Sequence, residues 1–414
     1  MKQCFACASV LLLAMGCSNS DPNPATGAHG GAGGAAGSPA AQAGAGSSNI
    51  GGGGAASAGA SPVAGASNGG SGGLVGGAGS SGSGGLVGSA GSAGNPGGAG
   101  STGAAGSGSG SGAYKCPSGT FAAFTPGGAA TKVAGTPPAD AFNKDAWTNV
   151  EGPVWIGDSL YFSEMTNSNM TPPSRILKIA PGGAVSVFAA DAGTNGLAVD
   201  GSGNLIAAVH KDGSISQISL NGGAATPLVS MYMGKRFTSP NDLAIRSDGT
   251  IYFSDPSYQN SANPQMGERL YRVTPPPTRT VSVVSDPPSP PNGVTLSPDE
   301  KTLYVTAANN GFKKYPVMAD GSLGAGSDFV SGAGGDGMAV NCAGEVFVAG
   351  GNNTVRVYSA AGASLGTITA TGAGTTTNVA FGGTDHKTLY ITAQGTEGQR
   401  GVYSITLPVP GFPY

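Results

Sequence analysis

The sequence predicts an all-β protein, a six-bladed β-propeller preceded by a disordered linker rich in Gly, Ala and Ser. Three observations support this prediction. A sequence pattern made of a polar residue, a short apolar strand, a turn and a second strand recurs roughly every 40–50 residues, which is the period of propeller blades. Six copies of the pattern, each read as a four-stranded unit, account for the whole C-terminal part of the chain. The N-terminal part, by contrast, consists mostly of small residues.

The clearest copy of the pattern has strand signals at Leu243–Arg246 and Thr250–Ser254, joined by Ser247-Asp248-Gly249. Asp-Gly between alternating apolar residues is a strong indication of a β-hairpin. The polar cluster Ser239-Pro240-Asn241-Asp242 precedes the first strand, and Asp255-Pro256 follows the second. Polar groups held at strand ends by turns are where a β scaffold usually carries its chemistry, so we expect functional residues here.

The other five copies repeat this order of elements. They begin at Glu151, Asn195, Asn292, Asp336 and Thr377. Their second strands are predicted at Leu160–Ser163, Leu205–Val209, Leu303–Thr306, Val346–Ala349 and Leu389–Thr392. Further strands are predicted at Arg175–Ile179, Ser214–Ile218, Arg269–Val273, Thr354–Tyr358 and Gly401–Ile405.

Residues 1–17 are typical of a bacterial lipoprotein signal peptide. Lys2 is followed by a short apolar run that is too short to span a membrane, and Ala14-Met15-Gly16-Cys17 resembles a lipobox with Cys17 as the lipidated residue. We therefore expect an exported protein, lipid-anchored to the bacterial cell envelope in the outer membrane or the periplasm. The alternative is ordinary secretion with cleavage nearby. Membrane contact is expected only through this N-terminal lipid anchor.

Residues 18–113 have almost no charge and no aromatic side chain, so they cannot bury enough apolar surface to offset the entropy of ordering. We interpret them as a disordered low-complexity linker, with an adhesive tract as the alternative. Residues 114–414 form the only predicted globular region, which is expected to be a monomer that binds a small-molecule substrate. The formal net charge of the 414-residue chain is −3, which gives no reason to expect nucleic acid as a partner.

Two cysteines, Cys116 and Cys342, lie in the predicted globular region. An exported protein meets an oxidising compartment, where such a pair often forms a disulfide. A bond between them would attach the N-terminal segment to the fifth copy of the repeat. The alternative is two independent thiols.

A propeller's inner strands line its central channel, so residues at their starts point towards the axis. This position holds Glu151, Asn195, Asn241, Asn292, Asp336 and Thr377 in the six copies. Carboxylate and amide oxygens that converge on an axis are typical of a hard-cation site, and Ca²⁺ takes six to eight such ligands. For each Asn or Asp taken singly, a turn or capping role is the alternative.

Several segments resemble those of the senescence marker protein / gluconolactonase / luciferin-regenerating enzyme family, and bacterial gluconolactonases in particular. The resemblance runs in order from about Asn149 to the C-terminus. Its motifs are Glu151-Gly-Pro-Val-Trp155, Tyr232-Met-Gly-Lys-Arg236, Ser239-Pro-Asn-Asp-Leu243, Ile251-Tyr-Phe-Ser-Asp-Pro256, Pro291-Asn-Gly-Val294, Ser297-Pro-Asp-Glu-Lys-Thr-Leu-Tyr304, Asp336-Gly-Met338 and Lys387-Thr-Leu-Tyr-Ile-Thr392.

The resemblance implies a six-bladed propeller that uses a divalent cation to open a lactone ring, such as that of gluconolactone. It implies Ca²⁺ as the cofactor, or else Zn²⁺, Mn²⁺ or Mg²⁺. The implied metal ligands are Glu151, Asn241, Asn292 and Asp336. Some members use the counterpart of Asn241 mainly for substrate or water contacts, and we expect Asn195 to bind substrate as well.

The resemblance also implies roles in catalysis. Asp336 is the expected general base, and His210 is a second candidate that would act as a base or bind a sugar hydroxyl. A hydrogen-bonded histidine without a catalytic role is the alternative. Asp255 is a further catalytic candidate, with a turn-forming Asp-Pro as the alternative. Arg236 is expected to bind an anionic substrate or product, unless it is a solvated loop charge.

Two other functions fit the same sequence. A phosphotriesterase-like hydrolase would use the same metal ring to polarise a P=O bond. A non-enzymatic surface binding propeller would use the metal only to stabilise its fold, since propellers host many unrelated functions.

Overall fold

The computed structural model describes residues 114–138, 147–165, 174–259, 267–284, 287–308 and 311–412. The predicted signal peptide 1–17, with Cys17, and the predicted linker 18–113 lie outside the described residues. In the described ranges every helix or strand assignment is a β-strand. Within those same ranges there is accordingly no helix long and apolar enough to cross a membrane.

Four separate antiparallel sheets, numbered 1 to 4 along the chain, have four strands each, and their strands pair in chain order. After β1 (Ala129–Lys132), sheet 1 contains β2 (Asn149–Ile156), β3 (Ser159–Met165), β4 (Ser174–Ile179) and β5 (Val185–Ala189). Sheet 2 contains β6 (Thr194–Val199), β7 (Leu205–Val209), β8 (Ser214–Ile218) and β9 (Thr226–Val229). A hairpin of β10 (Met231–Tyr232) and β11 (Lys235–Arg236) follows. Sheet 3 contains β12 (Leu243–Ile245), β13 (Ile251–Asp255), β14 (Arg269–Val273) and β15 (Val281–Val283), and sheet 4 contains β16 (Pro291–Leu296), β17 (Thr302–Ala307), β18 (Phe312–Pro316) and β19 (Ser327–Val330).

The remaining strands form one eight-stranded sheet in the order β20-β21-β22-β23-β1-β26-β25-β24. Its strands are β20 (Met338–Val340), β21 (Val346–Val348), β22 (Thr354–Tyr358), β23 (Ser364–Ala370), β24 (Thr375–Gly382), β25 (Thr388–Gln394) and β26 (Gly401–Thr406). The strands predicted from the sequence are confirmed to within two residues at either end.

The first strands of these sheets form a closed ring. β2 contacts β6 and β24, β6 also contacts β12, β12 contacts β16, β16 contacts β20, and β20 contacts β24. Apolar clusters fill the spaces between successive sheets. In one of them Val154 and Ile176 of sheet 1 pack with Leu197 and Leu205 of sheet 2. Sheets packed face to face around an axis are the architecture of a β-propeller.

The N-terminal segment joins the two halves of the eight-stranded sheet. β1 pairs antiparallel with β26 and parallel with β23, so it connects the first part of the chain to the last. Cys116 and Cys342 form a disulfide, with a Cα–Cα distance of 5.4 Å. β1 carries no strand signal in the sequence, because its segment Ala129–Lys132 is short and lacks apolar alternation.

Candidate active site

Three of the polar residues expected at the axis, Glu151, Asn195 and Asn292, lie at irregularities in the inner strands. The pairing of β2 with β3 shifts register between Glu151 and Val154, and that of β16 with β17 shifts between Pro291 and Val294. β6 and β24 have similar shifts next to Asn195 and Asn378. A β-bulge bends its strand and re-aims the side chains beside it, which is why bulges often occur next to functional sites. Here they turn the first residues of the inner strands towards the channel.

Three carboxyl groups influence one another at the axis. Burial raises the pKa of Glu151 well above its usual value, and the carboxyl groups of Asp336 and Asp242 raise it further. Burial and Asp242 likewise raise the pKa of Asp336. Glu151 and Asp242 are 4% and 7% exposed, whereas Asp336 is only half-buried. These residues lie in or just before the first strands of three different sheets, so the fold brings together carboxyl groups that are remote in sequence.

Asn292 connects sheet 4 to Asp336. Its side-chain amide donates a hydrogen bond to the Asp336 carboxyl group, which opposes the rise in that group's pKa. The other side-chain atom of Asn292, the acceptor Oδ1, is buried without a hydrogen-bond partner. A buried acceptor of this kind indicates a missing ligand, because leaving it unsatisfied costs about 1–3 kcal/mol.

Two further residues lie at the site without a role predicted from the sequence, Asp242, which was noted only as part of a polar cluster, and Asn378. Asn378 donates hydrogen bonds to both Glu151 and Asp242, while its own Oδ1 accepts one from the Val379 N–H at 2.8 Å. The second oxygen of Asp242, Oδ2, accepts from the Val294 N–H at 3.0 Å. Burial raises the pKa of Asp242 to about 7, although these hydrogen bonds oppose the rise.

A sequence signal for this pair exists at the position after each axial residue. That position is glycine in four copies, namely Gly152, Gly196, Gly293 and Gly337, and is Asp242 and Asn378 in the other two. A Cβ on Gly196 would lie 2.6 Å from Asp242 Oδ1, and one on Gly337 would lie 1.9 Å from the Asn378 side chain. The glycines therefore leave the space that the two polar side chains fill. Thr377, which the sequence analysis placed at the axis, instead hydrogen-bonds the Val150 carbonyl at 2.6 Å.

Asp255 supports the chain next to the site. Its Oδ2 accepts from the Thr238 N–H at 3.0 Å and its Oδ1 from the Ser239 N–H at 2.6 Å. It is completely buried, and burial raises its pKa to about 6. Both oxygens accept hydrogen bonds from backbone donors, which is the geometry of a positioning residue, and direct catalysis by Asp255 stays a prediction. It positions the segment that leads to Asn241.

His210 is also completely buried. Its Nε2 lies 3.3 Å from Ser174 Oγ, and the ring hydrogen-bonds the Thr194 backbone. Burial lowers its pKa to about 4, so the ring is neutral near pH 7. Its Nδ1 is buried without a hydrogen-bond partner, and a role of His210 as a general base or in binding a sugar hydroxyl stays a prediction. The alternative, a hydrogen-bonded structural histidine, agrees with these contacts.

The remaining predicted residues lie around the same end of the sheets. Asn195 and Asn241 are 2% and 5% exposed, and the Asn241 carbonyl accepts a hydrogen bond from the Gly196 N–H at 2.7 Å. The Arg236 guanidinium donates to the carbonyls of Lys211 and Thr238 at 3.2 and 3.4 Å. Arg236 thus contributes to holding the segment that Asp255 supports, and substrate binding by Arg236 stays a prediction.

In the described residues, no group of three or more His, Cys, Asp and Glu side chains is arranged to hold a metal ion. A metal at the axis would therefore need amide oxygens beside carboxylates. The predicted set of Glu151, Asn241, Asn292 and Asp336 has this composition, and Asn292 Oδ1 supplies an unpartnered oxygen. Oxygen donors of this kind fit a hard cation such as Ca²⁺ better than a soft metal.

Fold and site together define a β-propeller with an oxygen-rich site at its axis. The chain belongs to the SMP-30/Gluconolactonase/LRE-like family, whose sequence pattern matches residues 150–395. This membership confirms the resemblance found in the sequence.

Individual relatives are similar over parts of the chain. A gluconolactonase of Zymomonas mobilis is 31% identical over 179 residues, which are 38% of this chain and 48% of that protein. A lactonohydrolase of Aspergillus oryzae is 37% identical over 22% of this chain and 21% of its own length. The matches thus span about half or less of these curated relatives. A solved gluconolactonase of Xanthomonas campestris is 31% identical, with a TM-score of 0.54 over 64% of this chain and 87% of that chain.

Proposed function

We propose that this protein is a calcium-dependent lactone hydrolase with a six-bladed propeller, and that its substrate is a sugar lactone such as gluconolactone. The observation that carries the proposal is the cluster of carboxyl and amide groups at the axis, with the unpartnered Asn292 Oδ1 among them. The gluconolactonase relatives support the choice of substrate class.

Glu151, Asn241, Asn292 and Asp336 would hold the cation. When bound, a divalent cation supplies Lewis-acid polarisation of a carbonyl oxygen. The raised pKa values of the buried carboxyl groups fit such a cation, because a positive charge between them would favour their ionised forms.

Asp336 is the candidate base because, of the three axial carboxyl groups, it is the one that is only half-buried. Its carboxylate would accept a proton from the attacking water as the water oxygen bonds to the lactone carbonyl carbon. The ring C–O bond then breaks, and the released ring oxygen takes up a proton to give the hydroxy acid. Asn292 would orient the base through the hydrogen bond that it donates to it.

Proton release from glucono-1,5-lactone by the full chain, stripped of metal and reloaded with Ca²⁺, tests this function. Asp336→Ala should lower kcat/KM by about 10²–10⁴-fold. Asp328→Ala is the matched control, since Asp328 is exposed on β19. Two outcomes would refute the proposal of a calcium-dependent gluconolactonase. One is hydrolysis that continues after the metal has been chelated, and the other is no hydrolysis by the calcium-loaded protein.

We also propose that the protein is exported and anchored by a lipid on Cys17. The Cys116–Cys342 disulfide supports this location, since such bonds persist in oxidising compartments. Fractionation of cells that express the wild type or Cys17→Ala would test the anchor. The variant should move from the membrane to the soluble fraction.

A further inference from the structure

The end of β13 and the loop that follows it, residues 255–259, lie against the segment that leads to Asn241. The carboxyl group of Asp255 accepts hydrogen bonds from the Thr238 and Ser239 N–H groups. Four residues on, Gln259 makes two more contacts with Ser239. Its N–H donates to Ser239 Oγ at 3.3 Å, and that hydroxyl donates to Gln259 Oε1 at 2.7 Å. These four hydrogen bonds fix the loop beside the axial site.

Two buried donors of this loop have no hydrogen-bond partner. They are the Tyr258 hydroxyl and the Gln259 side-chain nitrogen Nε2. The Gln259 side chain cannot turn to satisfy its nitrogen without giving up the bond from Ser239 to Oε1. Unsatisfied buried donors are uncommon, and each costs about 1–3 kcal/mol. Two such donors in consecutive residues point to a ligand that accepts hydrogen bonds.

The Tyr258 hydroxyl also lies in the electrostatic field of the axial site. Burial raises its pKa, and the carboxyl groups of Asp336, Glu268 and Glu151 raise it further. The hydroxyl therefore keeps its proton and remains a donor. The nearby carboxyl groups disfavour an anionic ligand at this position, whereas the neutral oxygen of a hydroxyl group can accept a hydrogen bond there without repulsion.

We propose that Tyr258 Oη and Gln259 Nε2 form a donor pair that binds hydroxyl oxygens of a polyhydroxylated substrate. This inference rests on the proposed lactonase function of the same site. The pair would set the preference for hydroxylated lactones over lactones without hydroxyl groups. A site that is built to hydrogen-bond a substrate hydroxyl discriminates strongly against an analogue that lacks it, because its buried donors are then left unpaired.

The test compares glucono-1,5-lactone with δ-valerolactone, which has the same ring without hydroxyl groups. The full chain loaded with Ca²⁺ is assayed as wild type, Tyr258→Phe and Tyr390→Phe. Tyr390 is the matched control, because it stacks on Trp155. Tyr258→Phe should lose at least tenfold in kcat/KM on the hydroxylated lactone and less than twofold on δ-valerolactone. Tyr390→Phe should change neither value.

Binding of 1,5-anhydroglucitol, a cyclic polyol without a lactone group, is measured by calorimetry on the same proteins. If the wild type hydrolyses neither lactone but binds the polyol, and Tyr258→Phe does not bind it, the proposed lactonase function is wrong and the donor pair is supported. Equal losses on both lactones, or a Tyr258→Phe variant that matches the wild type in turnover and binding, would overturn the donor pair. A wild type that neither binds the polyol nor hydrolyses a lactone would overturn both.

Discussion

The side-chain amide of Asn378, on the last inner strand, donates a hydrogen bond to the carboxyl group of Glu151, on the first. The same amide reaches Asp242, so one residue satisfies two buried carboxyl groups. The axial site thus depends on the closure of the propeller ring, because its two sides come from opposite ends of the domain.

Replacing Asn292 with alanine should weaken calcium binding by roughly tenfold or more. The substitution removes the unpartnered Oδ1 and the hydrogen bond to Asp336, and calcium affinity depends on the number of oxygen ligands and their orientation. Isothermal titration with Ca²⁺ measures the change. Asn221→Ala, in an exposed turn, is the control. Wild-type affinity in Asn292→Ala would remove this residue from the proposed site.

Asp255→Asn should reduce activity, calcium affinity and stability together. The asparagine side chain has one acceptor oxygen, so it can satisfy only one of the Thr238 and Ser239 N–H groups. The other N–H group would face the NH₂ group of the amide, which is itself a donor. The free energy of unfolding should fall by about 1–3 kcal/mol. Urea unfolding and calcium titration are the measurements. A variant that loses turnover but keeps normal stability and calcium affinity would instead support direct catalysis by Asp255.

Gly337→Ala should destabilise the protein by about 1–3 kcal/mol, because its Cβ would overlap the Asn378 side chain. Gly201→Ala serves as control, since its Cβ would meet nothing closer than 3.9 Å. A double-mutant cycle in an Asn378→Gly background isolates the contact. The destabilisation caused by Gly337→Ala should largely disappear there, and its persistence would place the clash elsewhere.

The buried imidazole of His210 predicts a loss of stability in acid. Its folded-state pKa of about 4 lies below the unfolded value of about 6.5. The unfolded state therefore binds more protons as the pH falls from 6.5 towards 4, and stability decreases by up to about 3 kcal/mol over that range. Thermal unfolding of wild type and His210→Gln between pH 7 and 4.5 checks this. The variant should show the shallower dependence, and parallel curves would contradict the assignment.

Loss of the Cys116–Cys342 disulfide should destabilise the domain. The bond joins residues separated by 226 positions, so it restricts the unfolded chain strongly. A Cys116→Ser/Cys342→Ser variant should lose about 2–5 kcal/mol. Unfolding with and without reductant gives an internal control, because only the wild type should respond. A wild type that is indifferent to reductant would argue against the bond.

The sequence indicated the strands, their recurrence and the family. Short apolar runs bounded by turn residues such as Gly, Asn, Asp and Pro carry this information locally, which explains why the predicted bounds of β7, β8, β14 and β22 are those observed. The starts of the inner strands were also visible, because Glu151, Asn292 and Asp336 occupy the same position in their repeats.

Tertiary structure alone decided which polar residues meet. Register shifts of a single residue placed Asn378 rather than Thr377 at the axis, and such shifts have no clear local signal. Packing likewise determined how deeply each candidate side chain is buried. His210 and Asp255 occur at strand ends, as catalytic residues often do, but neighbouring sheets enclose both completely. Local sequence sets the strands and turns, whereas packing around the ring determines which side chains face the channel and which the core.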